Sequence, residues 1–268
     1  MRRALLAVPL LAAALFCSGP FFWQVLTSLR PEDELTSLGL PTAISLDSYR
    51  RAFAGQALGR ALLNSALVAG ATTALAVLVG AAAAFALAKL ELRGGRLLLG
   101  GALLASMFPS VATVGSLYLV IRALGLRDHL LGLVLPYTTF ALPMTIWIMH
   151  GFFRGLPDEI FRAAMIDGCS PLQAFWRVML PLAAPGLGTT AILVFISAWN
   201  ELLYALTFIS SPEARTVPVA ISMFAGEHKE PWGEIAAASV VAMLPVIAAA
   251  LLFQRWIVSG LTAGAVKG

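Results

Sequence analysis

Residues 61–88 include no charged side chain, and the run is rich in alanine and glycine and long enough to cross a bilayer as a helix. Hydrocarbon offers no partner for a bare backbone N–H or C=O, so such a run must close its own hydrogen bonds as an α-helix. Five more apolar runs repeat the pattern. Together they predict an all-α integral membrane chain with six spans, at about residues 4–29, 62–88, 97–121, 130–153, 187–209 and 235–258. The 12% charged content is about half that of a soluble domain, and no second region is polar enough to fold separately in water. The 268 residues therefore read as a single transmembrane domain.

The first run follows Arg2 and Arg3 and far exceeds the roughly 7 to 15 apolar residues of a cleaved signal peptide, so it reads as a first span. Residues 30–60 hold Glu32, Asp33, Glu34 and Asp47 among prolines and serines, which predicts an external segment with a lead-in helix. The fourth run carries Pro136 and Pro143 seven positions apart, nearly on one face, so both kinks open the same side. Six spans place both termini on one side of the membrane. Ten of the 18 lysines and arginines fall on that side, a weak bias toward the cytoplasm, and the net charge of +4 concerns topology rather than nucleic acid. Cys17 and Cys169 are far apart and imply neither a disulfide nor a metal site.

Enzyme signatures are missing. Lys89, Lys229 and Lys267 follow alanine, histidine and valine, so there is no Walker A sequence, and none of His129, His150 and His228 opens an HExxH. Glu201 is the one acid well inside a run. A mid-membrane charge costs about 2.5 to 3.5 kcal/mol on insertion scales and usually faces the bundle interior or a water-filled path. Glu201 either fixes packing against a neighbouring helix or lines a pathway with Trp199, Asn200 and Tyr204, whose amide, hydroxyl and ring groups suit a sugar.

Residues 156–185 are the only long interruption between runs with regular structure of its own. Pro157 suits a first helical position, and Gly168 after Asp167 can take the left-handed conformation that closes a helix. Ser170, Pro171 and Gln173 form a capping box, and Leu172, Phe175, Trp176, Met179 and Leu180 recur at helical spacing with Gln173 and Arg177 opposite. Pro181 should stop this second helix. Its apolar face needs a partner, because so short a helix is marginal alone in water.

The sequence of this segment, Ala163-Ala164, Asp167-Gly168, then Phe175 and Leu180-Pro181, resembles the cytoplasmic coupling loop of binding-protein-dependent ABC importer permeases. Arg162 stands where that family usually has glutamate. Phe108-Pro109-Ser110, residues 135–143, Trp199-Asn200-Glu201 and the 260–268 tail extend the resemblance to the smaller permease subunit of maltose, maltodextrin or trehalose importers. The resemblance implies a type I ABC importer permease of the bacterial inner membrane, multi-pass, with both termini cytoplasmic. It also implies a homologous second permease, two ATPase subunits that grip the coupling helices, one of them through residues 157–181 of this chain, and an extracytoplasmic sugar-binding protein. ATP and Mg would sit on the ATPases, with no cofactor on this chain. The tail would enter the ATPase interface, and a loop with Glu227, His228, Lys229 and Trp232 would meet the binding protein. The alternative from another class is an ion-coupled secondary transporter using Glu201.

Overall fold

The computed structural model describes residues 2–35, 37, 39–55, 58–90, 92–224 and 230–265. Among them every regular element is helical and none is a strand. Among the described residues four helices are long and apolar enough to cross a membrane, or up to six spans if each of two bent pairs counts as one. The first, α1 (Arg2–Ser28), runs through Pro9 and Pro20. The lead-in helix is α2 (Asp47–Gly55), and α3 (Leu58–Lys89) is a single rod of 32 residues.

The third expected span is not one helix. It divides into α4 (Gly95–Ser106) and α5 (Ser110–Ala123), bent by 95°. Pro109 is the cause. It lacks an N–H and pushes the preceding residue out of the helical region, and its own backbone is extended, so it ends one helix and opens the next.

The fourth span, α6 (Leu131–Gly155), continues through Pro136 and Pro143, both buried against protein, where freed backbone groups are kept from lipid. The fifth expected span is also broken, into α10 (Ala184–Trp199) and α11 (Leu203–Phe208), with no proline or glycine at the break. Between α6 and α10 lie α7 (Asp158–Ile166), α8 (Pro171–Ala174), a π-helical turn at Phe175–Met179 and α9 (Leu180–Leu182). A short α12 (Val217–Ser222) precedes α13 (Trp232–Ala265), which is longer than the expected sixth span and tolerates Pro245.

The buried residues sort by depth. One cluster joins Val68 of α3 with Ile121, Leu133, Tyr137, Tyr204 and Phe208. A second joins Phe85 at the other end of α3 with Met149, Phe153, Phe175 and Met179, so the two ends of α6 belong to different cores. Small residues let the helices approach. A Cβ on Gly80 would lie 2.3 Å from the Thr145 methyl, and one on Gly188 would lie 2.0 Å from the Trp256 ring.

Gly132 is tighter in kind, because the atom a Cβ would meet, at 2.4 Å, is the backbone carbonyl oxygen of Leu126, which cannot rotate away. Gly132→Ala is expected to destabilise the chain by about 1 to 3 kcal/mol. Denaturant titration of the purified protein checks this, and an unchanged midpoint would mean that the start of α6 is free to shift.

Outside the spans, Arg30 at the end of α1 is buried. Its guanidinium lies 4.9 Å from the Trp23 ring centroid and donates to the carbonyls of Ser37 and Gly39. The segment after the first span is thus wound around a cation, an arrangement the polar composition of 30–60 did not reveal.

Candidate functional site

The interruption between α6 and α10 folds as its local chemistry requires. Pro157 caps α7 rather than opening it, and Asp158 and Glu159 occupy the first turn, where negative charge suits the helix dipole. Gly168 has φ +87°, and its turn is closed by Gly168 N donating to Met165 O at 3.1 Å and Cys169 N to Ala164 O at 3.0 Å. The capping box is present: Ser170 N donates to Gln173 Oε1 at 2.8 Å, and Gln173 N to Ser170 Oγ at 3.3 Å.

The second helix departs from regularity just before Pro181. The proline ring would crowd the carbonyl four residues back, and the backbone widens into a π turn in which Leu180 N donates to Phe175 O. The helix ends one residue past Pro181, at Leu182, and meets α10 at 80°.

The expected apolar face divides in two. Phe175 and Met179 turn into the core, with Phe175 5.1 Å from the Phe85 ring and 6.3 Å from Phe153. Leu172 and Trp176 turn outward, as does Ile166 of α7; Leu172 is 66% and Ile166 86% exposed. Ala164 is buried, whereas Ala163, Arg162, Asp167, Gly168 and Pro181 are exposed. One side of the pair is therefore fastened to α3 and α6, and the other offers bare apolar side chains.

A tie absent from the sequence reading completes the segment. The Lys89 side chain, 2% exposed, donates to Leu156 O at 2.7 Å and pairs with the Asp158 carboxylate, joining the end of α3 to the start of α7. That hydrogen bond, and then the ammonium charge, hold the Asp158 carboxyl below its ordinary value. A depressed carboxylate contributes stability above its unfolded pKa and loses it as pH falls through the folded one. The thermal-stability gap between the parent and Asp158→Asn is therefore expected to be full at neutral pH and to close below 3.8. A gap independent of pH would show that the carboxylate charge is not what the tie uses.

The second candidate lies at the break between α10 and α11. Glu201 Oε1 accepts from Tyr204 N at 3.0 Å, and Oε2 from Ala205 N at 3.2 Å and the Tyr137 hydroxyl at 2.5 Å. The carboxylate thus supplies the free N–H groups of α11 and reaches across to α6, which is why the chain breaks here without proline or glycine.

Tyr204 is buried. Its ring stacks on Phe140 at 5.4 Å, and its hydroxyl shares a 2.8 Å hydrogen bond with Thr113 Oγ1 near the start of α5. Trp199 is buried too, donating to Ala242 O at 3.2 Å and stacking on Phe195. Asn200 is exposed beside Glu201, which is half-buried.

Outside the spans, Asp128 takes φ +60°, and its carboxylate accepts from Ser210 N and Ser211 N, which lowers its pKa and ties the α5–α6 turn to the end of α11. Trp232 is exposed at the start of α13, while Glu227, His228 and Lys229 lie outside the described residues, as does the end of the 260–268 tail. Among the described residues no group of three His, Cys, Asp or Glu side chains could hold a metal ion.

Residues 76–263 match the family described as binding-protein-dependent transport system inner membrane component. The chain is 49% identical over 252 residues to the trehalose transport system permease protein SugB of Mycobacterium tuberculosis, covering 93% of this chain and 92% of that one. It is 40% identical over 274 residues to the trehalose/maltose transport system permease protein MalG of Thermococcus litoralis, covering 100% and 98%. It is 42% identical over 269 residues to the sulfoquinovosyl glycerol transport system permease protein SmoH of Agrobacterium fabrum, covering 99% and 93%. In fold it is similar to a chain of a bacterial ABC transporter involved in the import of the acidic polysaccharide alginate, at TM-score 0.80 and 23% identity over 94% of this chain and 95% of that one.

Proposed function

The chain belongs to the binding-protein-dependent transport system inner membrane components, a family of non-catalytic multi-pass permeases, and from that premise we propose that it forms half of the pathway of an ATP-driven sugar importer. The sugar assignment rests on the relatives, whose names specify trehalose, maltose or a sulfoquinovose glycoside. The partners are a homologous second permease, two ATPase subunits carrying ATP and Mg, and an extracytoplasmic sugar-binding protein. Both termini are cytoplasmic in this reading. Glu201 and Asn200 border the path, with Trp199 and Tyr204 supporting them from behind.

One observation carries the coupling role. The segment 157–181 is anchored to the core on one face by Phe175, Met179 and Lys89 and bare on the other at Ile166, Leu172 and Trp176. A partner that grips the bare face moves the spans with it. The ATPase pair can shift the permease between inward- and outward-facing states only if it holds this surface differently in the two. Ala163, Asp167, Gly168 and Pro181 are the exposed framework of that grip.

The test is to tag the chain, solubilise native membranes gently, and identify what co-purifies. The complex is then placed in vesicles with the binding protein encoded beside it, and uptake of radiolabelled trehalose and maltose is followed. A P-loop ATPase and a second permease in comparable amounts, with uptake that needs ATP and ignores a collapsed proton gradient, is the expected result. A chain recovered alone, or uptake that follows the proton gradient without ATP, overturns the proposal.

A further inference from the structure

Among the described spans, α3 alone has neither a proline nor a break inside it. Prolines lie inside α1, α6 and α13, the third expected span is broken between α4 and α5, and the fifth between α10 and α11. Its 32 residues make a rod of about 48 Å, longer than the roughly 30 Å hydrocarbon core, so both ends reach past the membrane.

Both ends are fastened by buried polar side chains. At the inner end the Lys89 ammonium holds Leu156 O and Asp158, the first elements of the coupling segment. At the outer end the Asn64 amide donates to Glu213 O and Arg215 O, both at 2.9 Å, and Ser65 Oγ accepts from Val217 N at 2.8 Å. Asn64, Ser65 and Lys89 are all buried. These bonds grip main-chain atoms of the external segment that runs from the 3-10 turn Pro212–Ala214 into α12.

α6 also reaches the coupling segment, but two prolines lie between its ends. A proline inside a helix removes a backbone hydrogen bond and is a place where the helix can bend, so the proline-free α3 is the stiffer link between its two ends.

We propose that α3 is the strut that passes movement of the coupling segment to the external segment Pro212–Ser222, with Lys89 as its inner positioning residue and Asn64 as its outer one. This rests on the importer reading, in which an ATPase moves the coupling segment. The strut makes the conformation of the external face depend on nucleotide at the opposite side of the membrane, and by thermodynamic reciprocity a ligand held on the external face would alter nucleotide affinity by the same factor.

The test uses the complex co-purified with its ATPase, in lipid nanodiscs. Cys17 and Cys169 are replaced by serine, and an environment-sensitive fluorophore is attached at Glu213→Cys, an exposed position whose side chain is not used by Asn64. The probe is a non-hydrolysable ATP analogue with Mg²⁺, and its binding to the ATPase is measured in the same samples. The parent is expected to change its fluorescence on nucleotide addition. Lys89→Met and Asn64→Ala are each expected to shrink that change about fivefold at unaltered nucleotide occupancy, and the double variant to go no lower than the singles, because both cut one link.

Asp158→Asn, which keeps the bond to Leu156 O, covers the case in which Lys89→Met fails to assemble, and should give an intermediate loss. A full-sized change in Lys89→Met or in Asp158→Asn, or losses that multiply in the double variant, overturns the strut. A complex that binds the analogue while the parent fluorophore stays silent overturns the strut alone. A chain that purifies without any ATPase overturns the importer reading beneath it.

Discussion

Glu201→Ala is expected to destabilise the chain by about 3 kcal/mol or more and to bring sugar uptake close to background. Removal of the carboxylate strands three donors at once: the Tyr137 hydroxyl and the backbone N–H groups of Tyr204 and Ala205, all in buried residues. A buried donor left unpaired costs about 1 to 3 kcal/mol, and the three losses overlap because they share one carboxylate.

Glu201→Gln separates the packing role from a role in carrying charge. With its amide oxygen in the Oε2 position the glutamine can still accept from Ala205 N and the Tyr137 hydroxyl, leaving only Tyr204 N without its acceptor, so the variant should keep more stability than the alanine variant and most of the parent's ATP-driven uptake. Denaturant midpoints in detergent and initial uptake rates in vesicles read both effects. An alanine variant within 0.5 kcal/mol of the parent would show that α11 needs no cap. A glutamine variant that is stable but inactive would show that the negative charge itself is used in transport.

Gly168→Val is expected to leave insertion of the chain intact while reducing ATP-driven uptake at least tenfold. Nothing lies within 4 Å of a Cβ at this position, so the penalty comes from the backbone: φ +87° places a β-branched side chain against its own carbonyl. The left-handed conformation costs an L-residue about 1 to 2 kcal/mol, and more when branched.

The turn relieves that strain by reorienting α8 relative to α7, because the bonds from Gly168 N and Cys169 N to the end of α7 are what set the angle between them. Such a change displaces Leu172 and Trp176 relative to Ile166 and spoils the outward-facing surface. Gly168→Asn, a residue that tolerates the left-handed region, should retain most activity. Equal activity in the valine and asparagine variants would mean that the turn geometry is not transmitted to the partner. Membrane fractionation establishes in the same cells that the chain is inserted.

How far each of these features could be read in advance depends on how far apart in the chain its parts lie. The capping box of Ser170 and Gln173 and the glycine turn at Gly168 involve residues within three or four positions of one another, and both were legible. The break at Pro109 carried a sufficient signal in its proline but was folded into one long apolar run, since hydropathy alone is blind to a bend. The break at 200–202 carried no such signal. An acid inside an apolar run reads as a buried charge in a continuous helix until Tyr137, 64 positions earlier, is placed opposite it. Lys89 and Asp158 were equally opaque, because each sits at the end of its own helix among other charges and nothing local pairs them across 69 positions.

The sequence by itself determined that this chain is a bundle of membrane-crossing helices with a two-helix interruption after the fourth, because uncharged runs in hydrocarbon have one backbone solution and helix caps are built from near neighbours. Only the tertiary structure decided which face of the second coupling helix is buried, where the fifth span breaks and that Lys89 joins the end of α3 to the start of α7. Each of those depends on donors and acceptors brought together from distant parts of the chain, where a single hydrogen-bonded side chain outweighs the propensities of the residues around it.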